Sequence, residues 1–465
     1  MNGDKLADAI GLVGHAVDAE GIGGVLKARI QDFRVEEISS KISLDPKGRF
    51  TVAIITLTNW ETNRFISRLA KACGISRNRI FFAGTKDKRA VTKQAFVIDA
   101  PQKKVAQVSM PDVEIEILGR THQKLGFGNH KGNRFTIIAR GCAHADGSPM
   151  TEDEAMANVA SIEKEMAEAV GANLFPNWIG PQRFGAGRPV TPVVGRHVIT
   201  GDFEGAVMAY LGMEGFSEKP NVAAFRSFIR ENGAVAEALD IIPEWLGFER
   251  DMLKHIVAKP DDWVGAFRNL PNNLQLMTVH SLQSVAFNKT IKARIDSGLS
   301  LATPVDGDLV GRIDDAGQLE TSSLVRTDAR TLPRIARNCE LGRLAVTGQL
   351  PGGTVEKTSG ISGEIEQSVI EEMGLADANW EVERIRRLTT KGTRRALVTG
   401  FTEFQVEPVP KAGEETMGEK WTDGVKEGDR WHPEGACLRF RFILPSGSYA
   451  TTLLREFMRS PLHQL

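Results

Sequence analysis

IFFAGTKDKRAVTKQAFVIDA, residues 80–100, reads as a strand, a turn and a second strand. Ile80, Phe81, Phe82 and Ala83 form a short apolar run, Gly84 opens the turn, and QAFVIDA (94–100) resumes strand character. The turn sets Asp87 between Lys86 and Lys88. Loops that follow strands are where rigid scaffolds tend to present reactive groups. A carboxylate among cations is favoured in its ionised form, which suits a nucleophile better than a proton donor.

The same texture extends on both sides. FRVEEI (33–38), FTVAIITLTN (50–59), VEIEILGR (113–120) and RFTIIAR (134–140) read as strands. Residues 61–73 place Phe65, Ile66, Leu69 and Cys73 on one helical stripe that Gly74 closes. Strands interleaved with one or two helices predict a mixed α+β domain. Thr151 with Glu154 three residues later is a capping box, and the helix it starts runs to Val170 before Gly171.

From about 173 to 400 the chain changes character. It holds a helical stretch at 275–296 with Leu282, Ala286 and Ile295 on its apolar face, and the glycine-rich LPGG (350–353). An acid-rich run near Glu364–Glu383 gives way to a basic burst of Arg384, Arg386, Arg387, Lys391, Arg394 and Arg395. Strand character returns in CLRFRFILPSG (437–447), where Leu438, Phe440 and Phe442 alternate with Arg439 and Arg441, and YATTLLREFMR (449–459) reads as amphipathic. A middle unlike its two strand-rich flanks predicts an insertion: residues 1–172 with 400–465 as one discontinuous domain, and 173–399 as the inserted one.

At 465 residues the chain exceeds one ordinary domain. A hydrophobic content of 41% and a charged content of 25% are those of a soluble globular protein. The formal net charge of −1 hides a local asymmetry, for residues 61–140 carry 16 Lys and Arg against 6 Asp and Glu. Such a patch around Asp87 suits binding to a phosphate backbone, although a solvated, salt-bridged surface has the same composition. Cys73, Cys142, Cys339 and Cys437 show no paired C-x-x-C spacing, which speaks against a structural zinc site and a disulfide framework. With no signal peptide and no apolar run of membrane-spanning length, a cytoplasmic protein is expected.

Familiar catalytic signatures are missing. There is no G-x-x-x-x-G-K-[ST], no G-x-S-x-G elbow and no H-E-x-x-H, and none of the nine histidines pair at i, i+4, so no metal site is expected. TKD (85–87) resembles the guanine-specificity loop of GTPases but lacks the residue between Lys and Asp. KGNRF (131–135) and NWIGPQRFG (177–185) remain. Asn133, Gln182 and Arg183 are residue types that read base edges or hold phosphates, and Phe135 could stack on an unstacked base. Phe135 also fits a strand core, and Asn133 a turn cap.

Taken together, GTKDKRAVTKQ, LKARIQDFRVEE (26–37), NRF (63–65), KGNRF, NWIGPQRFG, SVAFN (284–288), DGDL (306–309) and SYATTLLRE (448–456) resemble the TruD family of tRNA pseudouridine synthases. The motifs run through almost the whole chain and fit only loosely over 310–430. The resemblance implies a pseudouridine-synthase α+β domain with a mixed, largely antiparallel sheet and a large inserted α+β TRUD domain. It implies isomerisation of a uridine in tRNA, typically at position 13, with no cofactor and no metal. The catalytic aspartate falls on Asp87, its basic partner on Lys27, the stacking aromatic on Phe135, and Asn133 lies nearby. Gln182 and Arg183 are expected at the substrate, with packing between domain and insertion as the alternative. Lys86 and Lys88 are expected as phosphate contacts or surface charges. Arg455 and Glu456 could be site residues or a helix pair, and the basic burst could meet tRNA. A monomer is expected. The competing reading is a non-catalytic tRNA-binding or RNA-chaperone protein; a methyltransferase would need a glycine-rich cofactor loop that the chain lacks.

Overall fold

Ile80–Phe82 pairs antiparallel with Val91–Ile98, so the GTKDKRA turn joins two neighbouring strands. The computed structural model describes residues 4–126, 128–185, 187–216 and 218–465. Within them the chain divides into two compact units, one of Val17–Phe175, Asp314–Gln318 and Thr399–Leu465, the other of the residues up to Ala16, Pro176–Ile313 and Leu319–Val398.

The first unit is built on a nine-stranded sheet. Its order is Thr402–Pro408, Leu438–Pro445, His130–Cys142, Phe33–Ser39, Val91–Ile98, Phe50–Thr58 and Val113–Thr121, with Gly23–Val25 and Ile80–Phe82 pairing off this path. Phe33–Ser39 runs parallel to Val91–Ile98, and the other pairs are antiparallel, so the sheet is mixed and largely antiparallel as expected. The helix Thr62–Cys73 buries Phe65, Ile66, Leu69 and Cys73 against Ile55, Leu57, Phe96 and Ile98, and Gly74 ends it in the left-handed conformation. Thr151 and Glu154 form the predicted capping box of the helix Glu152–Val170. The strand Leu438–Pro445 alternates as predicted, with Leu438, Phe440 and Phe442 buried.

The stretch read as amphipathic forms the helix Ala450–Met458, and all nine of its residues are buried, Arg455 and Glu456 included. Its polar residues lie inside, so it has no solvated face.

The second unit carries helices around the long helix Asn272–Asp296, whose Val279, Leu282, Val285, Ala286, Phe287 and Ile291 are buried, beside a four-stranded antiparallel sheet ordered Leu319–Arg326, Leu309–Ile313, Leu344–Leu350 and Thr393–Ala396. The N-terminal residues up to Ala16 belong to this unit rather than to the strand-rich one. The reason is local: Ile10 and Leu12 are fully buried, and Asn288 Nδ2 donates to Ile10 O at 3.0 Å. Much of the basic burst is structural. Arg394 is buried, donating to Glu366 and to Thr347 Oγ1, while Arg395 bonds Asn177 and Arg387 bonds Gln275.

Candidate active site

The register of three central strands makes the floor. Val35 and Phe442 both stand opposite Phe135, and Glu37 and Leu444 both stand opposite Asn133. Residues paired across strands share a face, so one face carries Glu37, Asn133 and Phe135 together.

Lys27 and Asp87 meet above this face. Lys27 Nζ donates to Asp87 Oδ2 at 2.8 Å, with side chains 15% and 37% exposed. The ammonium also lies 4.4 Å from the centre of the Phe33 ring. Lys27 holds a left-handed backbone (φ 58°), fixed by Leu26 N–H donating to Gln464 O at 2.7 Å and Gly418 N–H to Ala28 O at 2.8 Å. The turn that follows is anchored by a buried pair in which Arg140 donates to both oxygens of Asp32 at 2.7 and 2.8 Å. The Asp87 turn is tied down on its other side, for Lys86 N–H donates to Thr62 Oγ1 at 3.1 Å.

Lys86, expected as a phosphate contact or a surface charge, turns inward. Its ammonium donates to Glu37 Oε2 at 2.7 Å, with side chains only 8% and 0% exposed. A carboxylate buried on the sheet face demands a partner, and Lys86 supplies it. His130 lies close by; burial and the Lys86 ammonium push its imidazole below the ordinary value. Lys88 is exposed. Phe135 is 7% exposed, edge-on to Phe33 at 6.5 Å and stacked on Phe442 at 5.4 Å, so it offers little open surface. Asn133 is half-buried, and its Oδ1 is buried with no hydrogen-bond partner among the described residues. Gln182 and Arg183 lie in the other unit, on the turn Pro181–Phe184, Gln182 exposed and Arg183 half-buried.

Glu37, His130, Arg89 and Lys420 were not singled out in the sequence. Glu37 and Arg89 lie within quoted motifs; Lys420 is brought in by tertiary packing alone. Among the described residues no group of three or more His, Cys, Asp and Glu could hold a metal ion, and no helix is long and apolar enough to cross a membrane.

A family model described as tRNA pseudouridine synthase D (TruD) matches residues 9–457. A Methanosarcina barkeri protein named "Probable tRNA pseudouridine synthase D" is 35% identical over 461 residues, 99% of this chain and 98% of its own length. A relative of the same name from Halobacterium salinarum is 33% identical over 467 residues, 98% of each chain. The crystal structure described as that of "the Putative tRNA pseudouridine synthase D (TruD) from Methanosarcina mazei" matches over 100% of both chains, with a TM-score of 0.81 at 32% identity. Fold and family together define the class, an enzyme of the tRNA pseudouridine synthases. Within that class the chain belongs to the TruD family.

Proposed function

We propose that this protein isomerises a uridine of tRNA, at position 13, to pseudouridine without a cofactor, and that Asp87 is the acting carboxylate. The observation that carries the proposal is the 2.8 Å pair of Asp87 with Lys27, set above a sheet face that bears Asn133 and Phe135.

The reaction breaks the bond between N1 and C1′ and joins C1′ to C5; C5 loses a proton and N1 gains one. The base must first leave its stack, at a cost of about a few kcal/mol. Asp87 then captures C1′, takes a proton from C2′, or adds to C6 of the ring. Each route uses an ionised carboxylate, and the Lys27 ammonium favours that form. The unpartnered Asn133 Oδ1 suits the N3–H of uracil, which would complete an acceptor that is otherwise costly to bury. Phe135 walls the same face between Phe33 and Phe442 and would meet the base through the small part of its ring that stays exposed. Lys88 and the basic surface of residues 61–140 would hold the backbone, with affinity that falls as salt rises. Gln182 and Arg183 would bind the RNA as well.

The test is tritium release from transcribed tRNA labelled at uridine C5, comparing wild type with Asp87→Asn and normal tRNA with tRNA whose position 13 is cytidine. Release by the wild type alone, lost with position 13, is the expected result, with Asp87→Asn slower by at least about a thousandfold. Release by both proteins removes Asp87 from the chemistry. Bound tRNA with no release from either supports the non-catalytic reading.

A further inference from the structure

The Asp87 turn carries more positive charge than its acids answer. Lys86 is paired with Glu37 and Lys27 with Asp87. That leaves Lys88, exposed, and Arg89, half-buried, neither side chain with an ion-pair or hydrogen-bond partner among the described residues.

A segment distant in sequence is laid against this turn. Gly418 N–H donates to Ala28 O, and a Cβ on Gly418 would stand 2.5 Å from Arg89 Nη2. Trp421 packs on Trp431 at 4.6 Å between ring centres, beside the buried Val25 and Ala28. The short helix Glu419–Thr422 thereby brings Lys420 within the fields of Lys27 and Arg89. Among the described residues its ammonium donates to one oxygen, Leu465 O, at 3.5 Å. The acid that acts on it, Asp429, is already engaged by His463 Nε2 at 2.7 Å, Trp431 Nε1 at 3.1 Å and the Lys426 N–H at 3.0 Å. Burial and the charges of Lys27 and Arg89 push Lys420 down to about 8. Arg89 and Lys420 thus gather beside Lys27, and Arg89 has no acid of its own among the described residues, so the cluster can take a further anion.

We infer that Lys420 and Arg89, beside Lys27, bind a backbone phosphate of the tRNA at the nucleotide being isomerised. The inference rests on the proposed function, which brings a polyanion to this turn. An extruded nucleotide carries a phosphate on either side of its ribose. The Arg89 fork and the Lys420 point charge would hold one of them and so set C1′ against Asp87. Both are positioning residues; neither takes part in bond making.

The sign of the pH dependence follows from the lowered lysine. Lys420 is charged below about 8 and loses its proton above it, so affinity for tRNA falls between pH 7 and pH 9. Arginine at this position stays charged throughout that range. The experiment measures binding of transcribed tRNA to full-length wild type, Lys420→Gln, Lys420→Arg and Arg89→Gln over a salt series at both pH values, with tritium release in parallel. Lys420→Gln should bind about tenfold more weakly at pH 7, with a salt slope shallower by about one. Wild type should weaken toward pH 9, Lys420→Arg should not, and Arg89→Gln gives an independent reading of the slope. Wild-type affinity and slope in Lys420→Gln, or an equal fall with pH in Lys420→Arg, overturns the inference while wild-type tritium release leaves the isomerase reading standing. A wild type that binds no tRNA overturns both.

Discussion

Lys27 concentrates the local physics of the site. A non-glycine residue at φ 58° carries a strain of roughly 1–2 kcal/mol, and two backbone hydrogen bonds from distant segments hold it there. Strain so placed is a mark of a functional position. Lys27→Ala and Lys27→Gly both remove the partner of Asp87, so both should lose tritium release. They should part in stability, for glycine adopts the left-handed backbone freely. Urea denaturation is expected to find Lys27→Gly more stable than Lys27→Ala by about 1 kcal/mol. Equal stability would mean that the left-handed backbone carries no strain.

At the scale of elements, the strand His130–Cys142 carries the site because it pairs on both sides. Gly132 permits one of those pairings: a Cβ there would stand 2.3 Å from Leu444 O. Gly132→Ala must therefore part this strand from Leu438–Pro445 next to Asn133. A destabilisation of about 2 kcal/mol is expected in urea, together with loss of tritium release. Unchanged stability with full activity would show that the strands adjust without disturbing Asn133. The closing helix Ala450–Met458 teaches the opposite lesson about elements. Its spacing reads as amphipathic, yet its charged residues Arg455 and Glu456 are buried too, because a side chain's surroundings are set by what packs over it as well as by its spacing.

At the scale of the molecule, each unit is assembled from separated stretches of chain. Asn288 shows how one such stretch is held. Its side chain is fully buried, accepts from Ile179 N–H at 2.9 Å and donates to Ile179 O and Ile10 O, each at 3.0 Å. Asn288→Ala leaves these backbone groups without their partner, a cost of about 3 kcal/mol. The expected outcome is a lower unfolding midpoint, with faster amide exchange in residues 4–16 than in the wild type. Normal protection of those residues would show that burial of Ile10 and Leu12 suffices to hold them.

The strands around 80–100, the helix closed by Gly74, the capping box at Thr151 and the alternation at 438–442 were legible in the sequence, because periodicity and capping are properties of neighbouring residues. Asp87 was legible for the same reason, as an acid among cations on a glycine-opened turn. The partners of those charges were not. Lys86 turned inward because Glu37 lies buried on the sheet face, Arg394 because Glu366 does so in the other unit. Lys420 came under the charges of Lys27 and Arg89 because Gly418 docks on Ala28. Charge alone gives no direction to a side chain. Strand register and long-range packing decide which cation answers which carboxylate, and these pair residues too far apart in the chain for any local pattern to record.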